Sequence, residues 1–262
     1  MLSQKLNTHW LTADLDSSKP VIIFLHGLLG ASDDWLSITP YLQDYSCLAI
    51  DLPFHGQSQS ISCSDFDYVC ELVVKAAQNV ISKGRKVTIV GYSLGARITM
   101  YGLAYGGFAS LNISNVVLEG GNFGLREVAE KRQRWISDER WAERFSSEPI
   151  EQVLDAWYQQ AVFSSLNDEQ RQTLLAKRKH NKGLAIASML MATSLAKQPY
   201  LLNRLQELTS PRLHYICGER DAKFTHLARS SELIFSLVEQ AGHNVHQEQP
   251  EAFAQIIRKV TA

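Results

Sequence analysis

Three residues of this chain have the types and placement for proton transfer and nucleophilic chemistry: Ser93, Asp221 and His243. Ser93 lies in Gly91-x-Ser93-x-Gly95, the nucleophile-elbow pattern. There a sharp strand-to-helix turn exposes a serine hydroxyl and leaves room only for small residues two places to either side. A serine hydroxyl alone is a weak base and a weak nucleophile, so it needs a histidine to take its proton and an acid to orient that histidine. His243 follows an apolar run ending at Val238, and Asp221 follows another ending at Cys217; Glu219 is the other acid within reach. The order serine, acid, histidine, each past a strand-like run, is the one that accompanies an elbow. The chemistry also needs N–H donors for a developing oxyanion. One is Leu94, directly after the serine. The second is Leu28 in the loop His26-Gly-Leu-Leu-Gly30, whose glycines let the backbone approach.

These groups need a rigid frame. Val87 to Val90 is a short, mostly β-branched run entering the elbow, and Val21 to Leu25 is continuously apolar, as expected of a strand covered on both faces. Further strands are expected at Cys47–Ile50, Asn115–Glu119, Arg212–Cys217 and Leu233–Val238. Apolar residues from Phe66 to Ile81 recur at i, i+3, i+4, predicting a helix over 64–82 with Asp65 and Asp67 in its first turn. A second helix is expected from Leu94 to Tyr105, and Pro250 opens a last one. Ser32 or Asp33 caps a short helical stretch with Trp35 and Ile38 inward, which Pro40 interrupts or restarts, and Asp16 to Pro20 reads as a turn cluster. Alternating strands and helices point to a mostly parallel α/β sheet. From Leu125 to Pro199 no strand-like run appears. That stretch reads as a helical cap of residues 125–199 inserted between core segments 1–124 and 200–262, over the C-terminal edge of the sheet.

The 262 residues, 45% of them hydrophobic, suffice for a large core, and the formal charge of −1 gives no electrostatic reason to expect nucleic acid or an anionic membrane as partner. The first ten residues lack a basic stretch followed by an apolar one, and no run approaches a membrane span, so a cytoplasmic protein is expected. Cys47, Cys63, Cys70 and Cys217 have no C-x-x-C spacing and read as reduced. His180, His214, His226 and His246 form no metal spacing; His26 is expected to hold the oxyanion loop, and His55 to shape a loop beside the site.

Leu25-His-Gly-Leu-Leu-Gly30, Asp51-Leu-Pro-Phe-His-Gly56, Gly91-Tyr-Ser-Leu-Gly95, Gly218-Glu-Arg-Asp221 and Gly242-His243 together resemble the α/β-hydrolase superfamily across nearly the whole chain. A narrower set resembles the 2-succinyl-6-hydroxy-2,4-cyclohexadiene-1-carboxylate synthases of menaquinone biosynthesis. It comprises Val90 to Arg97, Leu118 to Gly121, Trp157 to Gln160, Phe163 to Asp168, Ala192 to Ala196, Cys217 to Phe224 and Ala241 to Asn244. Several of these segments lie in the cap. Leu28-Leu29 stands where an aromatic plus a small residue is common in that family, and Ala96 where a second glycine often follows the elbow; both bear on pocket shape.

The resemblance implies a cofactor-free lyase that eliminates pyruvate from 2-succinyl-5-enolpyruvyl-6-hydroxy-3-cyclohexene-1-carboxylate, and a monomer is expected. It favours Asp221 over Glu219. It implies that Ser93, with His243 and Asp221, removes the proton alpha to the succinyl ketone while the Leu28 and Leu94 amides hold the enolate oxygen. Such a tricarboxylate calls for guanidiniums. Arg97, four residues past Ser93 and one helical turn along, is expected at the same mouth, while in the cap Arg134 and Arg178 match the family's substrate-binding arginines, with Arg132 near enough to Arg134 to exchange in register, and Tyr92 and Trp157 match its pocket wall. No metal is implied. A carboxylesterase, thioesterase or carbon–carbon hydrolase would use the same residues, and a non-catalytic small-molecule receptor could share the fold.

Overall fold

The computed structural model describes residues 4–12 and 18–262. Asp16 and Ser17 of the expected turn cluster lie outside the described residues. Seven strands form one sheet: β1 (Thr8–Trp10), β2 (Val21–Leu25), β3 (Ser46–Ile50), β4 (Val87–Tyr92), β5 (Ile113–Glu119), β6 (Arg212–Gly218) and β7 (Phe235–Val238), in the order β1-β3-β2-β4-β5-β6-β7. All neighbours are parallel except β1, which pairs antiparallel with β3 (Thr8 opposite Ile50). β1 was not expected from the sequence, because three residues are too few for an alternating pattern to register.

The side-chain period of two divides the core into halves. Ile23, Leu25, Ile89 and Leu118 face helices α1 (Phe66–Gln78) and α2 (Leu94–Ala104), whereas Ile22, Phe24, Val90 and Val117 face Trp35 and the C-terminal helix Pro250–Thr261. Each such side chain, fully removed from water, contributes about 1.5–3 kcal/mol. The central strands β2 and β4 are therefore clamped from both sides, and their C-terminal ends are fixed points for the loops that follow.

Helix α1 is shorter than its periodicity predicts. Asp65 is the N-cap, its side chain accepting from the Tyr68 N–H at 2.8 Å, and the helix closes at Gln78. Val80 and Ile81 still pack on the core, in turns bonded back to the Ala77 carbonyl, so the apolar spacing outlasts the helix. The stretch after β2 is two 3-10 turns, Ser32–Trp35 and Thr39–Tyr41, with Pro40 starting the second and Trp35 and Ile38 fully buried.

Between β5 and β6 the chain is helical: α3 (Val128–Ser147), α4 (Ile150–Trp157), α5 (Asp168–Arg178), α6 (Gly183–Ala192) and the short α7 (Leu202–Gln206). The first four share their own apolar cluster, including Phe145, Val153, Leu154, Leu174 and Ile186. The two stems of this excursion meet: the Leu201 N–H donates to the Phe123 carbonyl at 2.7 Å, and Gly124 lies so close to Pro199 that a Cβ would sit 2.2 Å from its carbonyl oxygen. After β6 come α8 (Ala222–Ser230), α9 (Val245–Glu248) and α10 (Pro250–Thr261). Among the described residues no helix is long and apolar enough to cross a membrane. All four cysteines are free, and burial pushes the thiols of Cys47, Cys63 and Cys70 up to about 12.

Candidate active site

Strand β4 ends in a turn at Ser93, held at φ 49° and ψ −103°, a conformation that non-glycine residues adopt only under constraint. The Ser93 N–H donates to the Glu119 carbonyl at 2.8 Å, and α2 begins with the next residue. The elbow spacing has a direct steric cause. A Cβ on Gly95 would lie 2.0 Å from the Leu25 carbonyl oxygen, and one on Gly91 would lie 2.7 Å from the Ala96 nitrogen.

Beyond β6, Asp221 caps α8, its Oδ1 accepting from the Phe224 N–H at 3.2 Å while its Oδ2 accepts from His243 Nδ1 at 2.7 Å. A carboxylate only accepts, so Nδ1 carries the proton and Nε2 presents a lone pair. The Ser93 hydroxyl donates to that Nε2 at 3.4 Å, a longer contact than the 2.7 Å between His243 and Asp221. Glu219 instead accepts from the Gln240 N–H at 3.3 Å, away from His243. The His243 ring is packed by Phe224 at 4.7 Å and Tyr92 at 5.3 Å, and Gly120 lies beneath it.

The loop after β2 approaches the same point. A Cβ on Gly27 would meet the Tyr92 ring at 2.7 Å and the Ser93 Cβ at 3.5 Å, so the Leu28 backbone passes beside the serine. Neither the Leu28 nor the Leu94 N–H donates to a backbone carbonyl among the described residues. The two buried histidines divide the support of this loop differently from expectation. His55 Nε2 accepts from the Leu29 N–H at 3.0 Å, where Leu29 sits at φ 69°. His26 donates through Nδ1 to the Gly27 carbonyl at 2.7 Å and accepts through Nε2 from the Leu52 N–H at 3.0 Å. His55 thus holds the loop as directly as His26 does.

Burial pushes the His55 pKa down to about 3 and lowers that of His26 as well. Both must be neutral when folded, whereas the unfolded chain protonates them near 6.5. For His55 that stabilisation is complete above pH 6.5 and is lost as pH falls from there toward 3, and His26 acts in the same direction. Denaturant titrations should show His55 alone costing about 2 kcal/mol by pH 5. His55→Asn should flatten that dependence, and an unchanged slope in the variant would exclude His55 as its source.

Above the serine is a cavity of about 550 Å³ bordered by Ser93, His243, Arg134, Trp157, Arg220 and Lys223. Arg134 is held by Asp138 at 2.8 Å and reaches the cavity, whereas Arg132 is exposed. Trp157 is a wall as expected. Tyr92 is not on the lining: it lies under His243, its hydroxyl donating to Asn244 Oδ1. Arg97, expected at the mouth, is turned into the cap stem. Its Nε donates to Gln198 Oε1 at 2.7 Å and its NH2 to the Thr193 carbonyl at 2.6 Å. Arg178, expected at the substrate, is buried against Asp34 at 2.6 Å and does not line the cavity.

With this geometry in hand, comparison with known proteins is informative. Residues 20–250 match the α/β hydrolase fold family. The chain is 43% identical over 252 residues to the 2-succinyl-6-hydroxy-2,4-cyclohexadiene-1-carboxylate synthases of Yersinia pestis bv. Antiqua and Yersinia pseudotuberculosis serotype O:3, covering 96% of this chain and 90% of each relative. The chain belongs to this synthase family. The solved structure of MenH from S. aureus superposes with a TM-score of 0.87 at 26% identity, covering 98% of this chain and 97% of that one.

In this member of the synthase family, three contributors escaped sequence reasoning. Arg220 and Lys223 flank the triad acid, a spacing visible in the sequence, but only the fold reveals that the start of α8 opens on the cavity. Although Lys223 is exposed, partial desolvation at the cavity wall and then the neighbouring Arg134 lower its pKa, while Asp221 opposes that shift. The third is a buried pair beneath the triad: His246 Nδ1 donates to Glu119 Oε2 at 2.8 Å and the His246 N–H to Oε1 at 3.1 Å. Glu119 thus ties the end of β5 to the segment carrying His243, and His246, of which the sequence shows only that it has no metal spacing, is its partner. Among the described residues no cluster of potential metal ligands occurs.

Proposed function

We propose that this site eliminates pyruvate from 2-succinyl-5-enolpyruvyl-6-hydroxy-3-cyclohexene-1-carboxylate, giving the cyclohexadiene after which the relatives are named. The observation that carries the proposal is the hydrogen-bonded relay Ser93–His243–Asp221 opening on a cavity bordered by cationic side chains.

The chemistry follows from what each group can do. Ser93 Oγ, as its proton passes to His243 Nε2, takes the proton from ring C2, alpha to the succinyl ketone. Asp221 stabilises the imidazolium that forms. The enolate oxygen accepts from the Leu28 and Leu94 N–H groups. Collapse of the enolate moves the ring double bond from C3–C4 to C2–C3 and C4–C5 and breaks the C5–O bond. Enolpyruvate departs, takes a proton and tautomerises to pyruvate. No acyl-enzyme forms and no cofactor takes part. The partner is a small tricarboxylate rather than nucleic acid or membrane, and four free thiols suit work in the cytoplasm.

Purified protein should release one pyruvate per substrate, followed by lactate dehydrogenase coupling. Rapid turnover of simple esters with no pyruvate formed would overturn the proposal. Removing cavity cations should mainly weaken binding. Because a charge-assisted hydrogen bond contributes about 1.5–3 kcal/mol, Arg134→Ala should raise KM by roughly 10- to 100-fold. Arg220→Ala and Lys223→Ala, whose side chains are exposed, should raise it by roughly 3- to 10-fold and more weakly as salt is added. A KM unchanged in all three would exclude this wall as the carboxylate site.

A further inference from the structure

We infer that Glu119 is a positioning residue that sets the separation of Ser93 and His243, holding the serine through its backbone and the segment carrying the histidine through its side chain. Glu119 is the last residue of β5, in register with Tyr92 of β4 on one side and Ile216 of β6 on the other, so its own place is fixed by the sheet. Its carbonyl oxygen accepts from the Ser93 N–H at 2.8 Å. Its carboxylate, wholly buried, accepts from the His246 N–H at 3.1 Å through Oε1, and His246 Nδ1 lies 2.9 Å from Oε1 and 2.8 Å from Oε2. One residue thus bonds to both limbs of the relay.

The grip on His246 reaches His243 because the chain between them is braced. Glu248 Oε2 accepts from the Gly242 N–H at 3.0 Å and its Oε1 from the Asn244 N–H at 3.4 Å, taking the amides on either side of His243. Helix α9 follows at once and carries both His246 and Glu248. The His246 ring packs on Trp35 at 4.5 Å and Tyr92 at 4.7 Å, and its carbonyl accepts from the Ser37 hydroxyl at 3.2 Å. The Tyr92 hydroxyl, donating to Asn244 Oδ1, is a second fastening between the end of β4 and this segment. Asp221 fixes which way the imidazole turns; Glu119 fixes how far it stands from the serine.

That distance is critical. Proton transfer works over about 2.6–3.2 Å. Ser93 Oγ and His243 Nε2 are 3.4 Å apart, so the relay has little slack in the direction of opening. A displacement of about 1 Å would cost on the order of 100-fold in rate. Glu119 does not border the cavity, so its effect should fall on kcat and not on substrate binding.

The test compares wild type with Glu119→Gln, Glu119→Leu and the double variant Glu119→Leu/His246→Phe. It measures pyruvate release, the thermal midpoint and the rate at which a fluorophosphonate labels Ser93. In that labelling Ser93 Oγ bonds to phosphorus, fluoride leaves and His243 takes the hydroxyl proton. Positioning predicts that Glu119→Leu, assayed well below its midpoint, loses about 10- to 100-fold in both kcat and labelling rate, with KM within about threefold. Glu119→Gln can still span the gap, its Oε1 accepting the His246 N–H and its amide donating to Nδ1 of the other imidazole tautomer, so it should lose no more than about fivefold in either rate. A carboxylate that only stabilised the fold would lower the midpoint and leave the folded variants at wild-type kcat and labelling rate, and that result overturns the inference. Glu119→Gln falling as far as Glu119→Leu overturns it too, since the span would then not be what acts. Should Glu119→Leu fail to fold, the double variant, which leaves no buried charge unpaired and keeps a ring against Trp35, decides by the same two rates. The pyruvate arm rests on the elimination proposed above and the labelling arm does not. Wild type that labels but releases no pyruvate defeats that reading alone; wild type that does neither has no working relay, and the inference falls.

Discussion

Ser93→Ala is expected to lower kcat for pyruvate release by about 10²- to 10⁴-fold while leaving KM within a few-fold of wild type, the loss associated with removing a positioned general base. The expectation follows from geometry. Ser93 is hydrogen-bonded to His243 Nε2 and borders the cavity, so its hydroxyl is the group through which the proposed relay takes the substrate proton. The cations bordering the cavity are untouched, which is why binding should persist. Combining Ser93→Ala with His243→Ala should add little, since each change alone disables the relay. Two further measurements separate a base from a nucleophile. Deuterium at ring C2 should slow wild-type turnover, and intact-protein mass spectrometry during turnover should show no adduct on Ser93. A Ser93→Ala enzyme keeping more than a tenth of wild-type kcat would remove the serine from the chemistry.

Gly95→Ala should be among the most damaging single-methyl changes available. The added Cβ would fall 2.0 Å from the Leu25 carbonyl oxygen and 2.8 Å from that of His26. Both are backbone atoms at the end of β2, a strand hydrogen-bonded on one side to β3 and on the other to β4. Neither neighbour can move without shearing the centre of the sheet. The expected loss is about 3 kcal/mol or more, corresponding to a fall of roughly 6–12 °C in the thermal midpoint. Gly84→Ala is the control: its Cβ would meet nothing within 4 Å, so only the left-handed φ of +87° counts, at about 1–2 kcal/mol. Equal midpoints for the two variants would show that the elbow is less tightly packed than these distances imply.

What could be read from the sequence was local. Val87 to Gly95 states its own conformation, because a buried strand and a turn without side-chain room leave marks within nine residues. The short edge strand β1 leaves none, and Val80 and Ile81 carry a helical spacing beyond the helix because turn residues can also pack on a core. Partnerships over long separations were illegible wherever no motif marks both partners, as the elbow, acid and histidine mark theirs. Charge alone does not reveal that Arg178 is engaged by Asp34, that His246 is engaged by Glu119, or that Arg97 is turned toward Gln198. Residue type alone does not separate Asp221 from Glu219; the family resemblance favours Asp221, and the start of α8 places it against His243. The roles of His26 and His55 were blurred for the same reason: each takes its partner 26 residues away.

The meeting of the cap stems at Phe123 and Leu201 has a consequence for design. A segment that departs from and returns to one place is a cassette, exchangeable in length and composition without disturbing strand register. Here the cassette is not self-contained, because Leu28 and Leu29 of the sheet-borne loop are packed within it. A graft of this cap onto another scaffold should therefore carry that pair of leucines with it, or the transplanted helices will lack part of their own core.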